Sequence, residues 1–216
     1  MEHGSITFES LPQLMQVTEA SGCLPFVRVS YPEPSYIRRA LDLGARGIVI
    51  PMVNTYNIAK TCIDACYYPP KGTRGVGFCS ANHYGKHFDS YISTINSKLK
   101  IIIQIEHISA LEDIDRIMKI PGISTVMIGP YDLSASLNKV AQFDNDEYLL
   151  VKNKIFNTAI SNRIQAGIHI VNPSIPDLKK HIKEKFTFIA YGMDSVFYQK
   201  ILDTTIESIQ HINRSV

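Results

Sequence analysis

The sequence predicts an α/β fold in which parallel strands alternate with helices. Short runs rich in β-branched residues are each followed by a segment with helical spacing of apolar side chains. A strand–helix–strand order makes successive strands parallel. The six runs centre near residues 26, 48, 102, 126, 168 and 188. With 216 residues, 45% of them hydrophobic, the chain is long enough for one good core, and we expect a single domain over residues 1–216.

The first half of the chain predicts three helices and two strands. Gly22 ends the first helix, Pro32-Glu33-Pro34 opens the second, and Thr55 caps the third. The predicted elements are a helix over 8–20, a strand over 26–29, a helix over 34–44, a strand over 47–50 and a helix over 55–66.

A long segment over residues 68–89, rich in Gly, Pro and Asn, follows these elements. A loop of this length in a compact domain is usually functional. Its Gly72, Arg74, Gly75 and Gly77 lack the spacing of a phosphate-binding motif, which favours a structural turn beside the site.

The second half centres on residues 100–137, which predict strand, helix and strand in succession. Leu111, Ile114, Ile117 and Met118 recur at helical spacing between the strands 101–105 and 125–128. A short helix over 91–99 leads into this unit. Beyond it the pattern predicts a polar loop over 138–147, a helix over 148–163, a strand over 167–170, a helix over 175–185, a strand over 186–190 and a helix over 195–213.

Two carboxylates follow the strands of this central unit. Glu106 closes the first strand, and Asp132 comes shortly after the second. Parallel strands end at one edge of a sheet, where α/β folds hold their ligands, so we expect the two side chains to lie close together. Their oxygens suit a hard divalent cation. In the alternative interpretation, Glu106 accepts a hydrogen bond from a loop and Asp132 caps the helix that opens at Leu133.

Several motifs resemble those of one enzyme family. They are QIEH (104–107), IGPYDLSASL (128–137), PFVRV (25–29), ALDLGARGIVIPMVNT (40–55) and YYPPKGTRGVG (67–77). Together they resemble the class II pyruvate aldolases of the HpcH/HpaI (2,4-dihydroxyhept-2-ene-1,7-dioate aldolase) and citrate lyase-like family. The similarity runs from Met1 to about Tyr198 in the family's order.

The resemblance implies a (β/α)8 TIM barrel of the phosphoenolpyruvate/pyruvate-binding type. The motif MEHG (1–4) resembles the end of the family's second strand. The chain is therefore expected to lack the first strand, the first helix and most of the second strand, which leaves about six βα units. Six such units on their own could also form an open sheet.

The resemblance also implies the roles of five site residues. Glu106 and Asp132 would be the metal ligands, with Mg²⁺, Mn²⁺ or Co²⁺ as the divalent cation. Arg28 would act on the substrate's keto oxygen as a catalytic and substrate-binding residue. Gln104 would donate a hydrogen bond to substrate. Backbone N–H groups at Tyr131 and Asp132 would hold the substrate carboxylate.

His3 matches the family's catalytic histidine, the proton-transfer group. In the family an aspartate three positions earlier orients this histidine. That position would be residue 0 in this numbering, so the pair is expected to be incomplete in this chain.

The expected activity is reversible aldol cleavage of a 4-hydroxy-2-keto acid to pyruvate, or a related 2-keto acid, and an aldehyde through a metal-bound enolate. Segments 68–89 and 138–147 are expected to form the acceptor pocket. One alternative is a Claisen-type condensation of acetyl-CoA with oxaloacetate, as in the family's citrate synthase of siderophore pathways. Another is a catalytically silent fragment or assembly subunit. Lys60, Lys100 and Lys119 are not placed for Schiff-base chemistry.

The resemblance implies a small-molecule 2-keto acid as the partner, and bulk properties argue against nucleic acid and membrane. The formal net charge is +2 with scattered basic residues, which argues against nucleic acid. No run approaches the roughly 18 apolar residues of a membrane span. Four cysteines show no disulfide framework, so a cytoplasmic location is expected. An apolar stripe from Val196 to Ile209 resembles the family's C-terminal helix and implies a homo-oligomer, although ordinary barrel packing would explain it equally well.

Overall fold

A computed structural model describes residues 1–214 of the chain. The chain divides into two compact units, Met1–Ala166 and Gly167–Val216. The single domain expected over residues 1–216 stays a prediction.

Four parallel strands form the sheet of the first unit. Their bounds are Phe26–Arg28 (β1), Gly47–Ile50 (β2), Lys100–Ile105 (β3) and Thr125–Ile128 (β4). Each strand pairs with the next, with Arg28 beside Val49 and Ile105 beside Ile128. The predicted α/β class and its parallel strands are confirmed.

Seven α-helices accompany these strands in the first unit. Their bounds are Leu11–Ala20 (α1), Pro34–Asp42 (α2), Tyr56–Cys66 (α3), Phe88–Lys98 (α4), Ile114–Ile117 (α5), Pro130–Ser136 (α6) and Asp146–Ser161 (α7). Pro34 occupies the first turn of α2, and the Thr55 hydroxyl accepts the Ile58 N–H at 3.3 Å to cap α3. The helix starts predicted from proline and threonine are therefore confirmed.

The helix predicted around Leu111–Met118 is broken at Asp113. A 3₁₀ turn spans Ile108–Glu112, and α5 spans only Ile114–Ile117. The Asp113 carboxylate accepts the Tyr56 N–H at 2.9 Å, a tertiary contact that takes the place of helical continuity.

The strands β2, β3 and β4 are buried on both faces, as expected for a parallel sheet covered by helices, whereas β1 buries only Val27 fully. Every residue of β2 and β4 is buried. In β3 only Lys100, at the amino end, is exposed. This rigid sheet fixes the positions of the residues that follow each strand.

The segment between α3 and α4 is held by a buried arginine. Arg74 has no exposed side-chain surface, and its Nη2 donates to Asp42 Oδ1 at 2.7 Å. The guanidinium lies 4.4 Å from the ring centroid of Tyr68 and donates to the Tyr91 hydroxyl at 3.4 Å. These contacts support a structural turn in place of a phosphate-binding loop.

These contacts also decide where the segment lies. Asp42 ends α2 just before β2 begins, so it lies near the amino ends of the strands. The 3₁₀ turn Ser80–Gly85 contacts α2 and α4. Within this unit the segment over residues 68–89 therefore lies away from the sheet edge that carries Glu106. The structure gives no support to the expectation that this segment forms part of the acceptor pocket.

The second unit contains most of the strand Gln165–Ile170 (β5), then Ile175–Lys183 (α8), Phe188–Tyr191 (β6) and Asp194–Arg214 (α9). β5 and β6 are parallel, with Ile168 beside Ile189. The α9 helix exposes apolar side chains, among them Phe197, Ile201, Ile206 and Ile209. Within residues 1–214, no helix has the combined length and apolar character that crossing a bilayer requires.

Candidate active site

The site lies where the four strands of the first unit end. Because these strands are parallel and consecutive, their carboxyl ends share one edge of the sheet. Arg28 ends β1, Met52 follows β2, Glu106 follows β3 and Gly129 follows β4. The sheet thereby brings together side chains that are up to a hundred residues apart in the chain.

Glu106 is the buried centre of this edge, with only 2% of its surface exposed. The Met52 N–H donates to its Oε1 at 2.6 Å, and Gln104 Nε2 donates to its Oε2. Both carboxylate oxygens are thus oriented by the protein itself, from β3 and from the turn after β2.

Burial raises the pKa of Glu106 to about 7 from its ordinary value of 4.5. The hydrogen bonds from Met52 and Gln104 act in the opposite direction and lower this pKa. The negative charges of Asp132 and Glu2 raise it further. Three carboxylates therefore influence one another electrostatically at this edge.

Met52 owes its contact with Glu106 to an uncommon backbone conformation. Its φ is +52°, in the left-handed region that side chains other than glycine adopt at a cost of about 1–2 kcal/mol. That conformation directs the Met52 N–H to Glu106, and 39% of the residue surface stays exposed.

Asp132 and Tyr131 lie in the first turn of α6, and Gly129 occupies the N-cap position. The alternative in which Asp132 caps this helix is therefore wrong, because Pro130 starts the helix earlier with its φ fixed by the ring. Both residues are exposed. N–H groups in a first turn have no acceptor within the helix, so those of Tyr131 and Asp132 remain available to an anion.

Arg28 forms an ion pair with Glu2, which is not among the predicted site residues. Glu2 Oε2 lies 3.1 Å from Arg28 Nε, with side-chain exposures of 21% and 23%. Of the residues in the stretch MEHG, only His3 is predicted as a site residue, from the family motif. His3 itself is 62% exposed and lies 3.7 Å from Glu2, so the structure places it beside the cluster and not within it.

The donor set fits a divalent cation. Glu106 is buried, and within residues 1–214 no lysine or arginine forms an ion pair with it. The oxygen Gln104 Oε1 is buried without a hydrogen-bond donor. No group of three or more His, Cys, Asp or Glu in the described part of the chain could hold a metal. A site of fewer carboxylates would need water and substrate to complete the shell of a cation.

The three lysines considered for Schiff-base chemistry lie elsewhere. Lys60 pairs with Asp64 at 2.5 Å on α3. Lys100 begins β3, at the opposite end of the strand from Glu106. Lys119 is exposed after α5. None of the three belongs to the site.

Replacing Gly129 by alanine is expected to weaken metal binding by at least about tenfold. A Cβ at this position would lie 2.7 Å from Glu106 Oε2 and 2.9 Å from Gln104 Nε2. The carboxylate must then move. Titration with Mn²⁺ followed by electron paramagnetic resonance measures the change. Gly77→Ala is the matched control because its Cβ would meet nothing within 4 Å; equal Mn²⁺ affinity in both variants would contradict the prediction.

The arrangement, with carboxylates gathered where parallel strands end, corresponds to the class of α/β enzymes that bind small molecules at this sheet edge. The model of the HpcH/HpaI aldolase/citrate lyase family matches residues 1–200, and the chain belongs to that family. A 2-keto-3-deoxy-L-rhamnonate aldolase of Salmonella gallinarum is 31% identical over an alignment of 218 positions. The alignment covers 98% of this chain and 80% of the relative. The chain is accordingly a class II aldolase, a carbon–carbon lyase.

Solved structures agree with the fold. An HpcH/HpaI aldolase/citrate lyase family protein of Burkholderia cenocepacia has a TM-score of 0.90 at 24% identity, covering 97% of this chain and 83% of its own. The citrate synthase SbnG has a TM-score of 0.84 at 23% identity, covering 99% and 83%. The CitE protein of Mycobacterium tuberculosis, at 13% identity, 90% and 74% coverage and a TM-score of 0.53, was solved with magnesium and acetoacetate.

Proposed function

We propose that this chain reversibly cleaves a 4-hydroxy-2-keto acid to pyruvate and an aldehyde, with Glu106 and Asp132 as the ligands of a divalent cation. The observation that carries the proposal is the buried Glu106 carboxylate, which has no cationic partner in the described chain yet has both oxygens oriented by donors. Burying a charged carboxylate is costly unless a positive charge lies beside it, and a bound cation would supply that charge.

Mg²⁺, Mn²⁺ or Co²⁺ would suit a site of two carboxylates, substrate and water. When bound, the cation acts as a Lewis acid that stabilises negative charge on the keto oxygen. Glu106 would supply a rigid ligand because two donors hold it, and Asp132 an exposed one on the first turn of α6.

The remaining residues would bind and orient the substrate. Arg28 would face the keto oxygen and hold its charge as the enolate of pyruvate develops. Gln104 has two amide hydrogens, of which Glu106 takes one, so the other is available to substrate. The first-turn N–H groups of Tyr131 and Asp132 would receive the substrate carboxylate.

His3 would move the proton between the 4-hydroxyl and solvent, as the family motif implies. Its exposure supports exchange with water, and Glu2 is its neighbouring carboxylate at 3.7 Å. For this proton transfer, the His3 imidazole would have to turn toward the 4-hydroxyl of the bound substrate.

We propose a 2-keto-3-deoxy sugar acid as the substrate class. The relative with 31% identity acts on 2-keto-3-deoxy-L-rhamnonate, which has a hydroxyl at the carbon that aldol cleavage requires. The aldehyde product would then be a hydroxylated aldehyde with three or more carbons.

Pyruvate release from a panel of 2-keto-3-deoxy acids, with and without EDTA, tests the proposal. We expect turnover that EDTA lowers by at least about 100-fold and that Mg²⁺, Mn²⁺ or Co²⁺ restores. Glu106→Ala should stay inactive with every metal. In parallel, oxaloacetate and acetyl-CoA are supplied and free thiol is measured. Thiol release without pyruvate release would favour the condensation, and silence in both assays would favour a fragment without activity.

The finer structural expectations are also proposals. We propose that the strands belong to a (β/α)8 barrel, which the TM-score of 0.90 to a family member supports. We also propose a cytoplasmic homo-oligomer. The exposed apolar residues of α9, such as Ile201 at 66%, support the oligomer, and light scattering would test it.

A further inference from the structure

Glu2 contacts the substrate-binding arginine in a protected position. Its Oε2 is sealed from solvent, and its partner at 3.1 Å is Arg28 Nε. A comparable pair on the surface, Glu9 and Arg39, is 3.5 Å apart, with side-chain exposures of 76% and 59%. Exposed pairs of that kind contribute little to stability or orientation, whereas a largely buried pair fixes both partners.

The contact occupies one edge of the guanidinium and leaves another edge open. An arginine carries five N–H donors in a rigid plane, one of them on Nε. Within residues 1–214, the ion pair of Arg28 with Glu2 is recorded at Nε, and no hydrogen bond from Nη1 or Nη2 accompanies it. The negative charge of Glu2 therefore lies on the Nε side of the guanidinium, and the two terminal nitrogens donate no hydrogen bond within the described residues.

The pair also lies close to the metal-binding carboxylates. Arg28 ends β1 and Glu106 follows β3 at the same sheet edge. The charge of Glu2 is felt at Glu106, where it raises the pKa of that carboxyl. Glu2 therefore lies within electrostatic range of Glu106 without being hydrogen-bonded to it.

We propose that Glu2 is a positioning residue that holds the Arg28 guanidinium through Nε and directs Nη1 and Nη2 at the substrate's keto oxygen. This inference rests on the proposed function. Glu2 acts through Arg28 and binds neither substrate nor metal. The sequence alone gives no sign of this role, since the two residues are twenty-six positions apart.

The test is a double-mutant cycle of Glu2→Gln and Arg28→Lys, assayed with the best substrate of the panel and saturating Mn²⁺. Glutamine keeps the size of Glu2 and removes its charge. We expect Glu2→Gln to lower kcat by about 10- to 100-fold with a smaller change in KM, since the orientation matters most when charge develops. In the Arg28→Lys background, Glu2→Gln should change kcat by less than about threefold. Lysine has a single ammonium group and no planar guanidinium whose orientation Glu2 could fix.

Two further readouts separate positioning from other roles. Oxalate, a dianion that resembles the enolate of pyruvate, should inhibit Glu2→Gln about tenfold more weakly than the unmodified protein. Mn²⁺ affinity, measured by electron paramagnetic resonance, should change by less than about twofold. Glu2→Asp should recover part of the lost kcat, and Glu9→Gln is the matched control that leaves every value unchanged.

Three outcomes would overturn the inference. They are an unchanged kcat in Glu2→Gln, an undiminished effect in the Arg28→Lys background, and a fall in Mn²⁺ affinity as large as the fall in kcat, which would make Glu2 a metal ligand. Circular dichroism confirms that each variant is folded. Failure of the proposed function is distinguishable, because the unmodified protein would then release no pyruvate with any metal.

Discussion

Glu106→Gln is expected to abolish pyruvate release and, in the metal-free protein above pH 7, to increase the free energy of unfolding. The two effects have one cause. Burial disfavours the charged form of Glu106, whose pKa is raised to about 7 from 4.5. The charged carboxylate that would bind a cation therefore lowers the free energy of unfolding of the metal-free protein. Glutamine removes this destabilising charge and the metal ligand together.

The sign of the pH dependence follows from proton binding. Between pH 4.5 and about 7 the folded protein holds a proton on Glu106 that the unfolded chain has released. The free energy of unfolding therefore falls as pH rises through this window, by about 3 kcal/mol from this group. Above pH 7 this loss of stability is complete. A cation that binds the folded protein would restore stability there.

Urea unfolding in EDTA at pH 5 and pH 8 measures this effect. The unmodified protein should lose stability between the two values, and Glu106→Gln should lose about 3 kcal/mol less. Adding Mn²⁺ at pH 8 should stabilise only the unmodified protein. Asp132→Asn serves as the control, because this exposed carboxylate should affect turnover and hardly affect metal-free stability. Parallel pH curves for Glu106→Gln and the unmodified protein would contradict the prediction.

Arg74→Met is expected to destabilise the protein by about 3 kcal/mol. The variant leaves Asp42 without its 2.7 Å partner and removes the cation that lies 4.4 Å from the Tyr68 ring. Methionine fills part of the space and cannot replace the charge. The segment between α3 and α4 should become sensitive to proteases, since Arg74 joins it to the end of α2.

Urea unfolding and limited trypsin digestion check this second prediction. Arg38→Met is the matched control, because Arg38 is exposed on α2, and its loss should change stability by less than about 0.5 kcal/mol. Equal midpoints for the two variants would show that the buried pair contributes nothing. Pyruvate release per folded molecule should be retained in both variants, since neither arginine lies at the Glu106 edge.

Strands, helix starts and the carboxylate pair could be predicted from sequence because each has a local signal. Runs of β-branched residues predicted β2, β3 and β4. The position of Glu106 after such a run placed it at the sheet edge. Proline and threonine predicted the starts of α2 and α3.

What the sequence did not reveal depends on contacts between distant residues. The break at Asp113 arises because its carboxylate binds the Tyr56 N–H, fifty-seven positions away. Arg74 lies in a glycine-rich loop, where a charged side chain is ordinarily exposed, and its burial needs Asp42 and two tyrosines. Glu2 is the second residue of the sequence, and no periodic pattern connects it to Arg28.

The Met52 contact has a consequence for engineering the enzyme. Glu106 is held there by a peptide N–H, which every amino acid except proline supplies. The side chain at position 52 is 39% exposed and takes no part in that bond. A directed-evolution library at this single codon could thus vary the surface beside the reaction centre while the carboxylate keeps its anchor. Glycine and asparagine would be the best tolerated members, because both accept a positive φ.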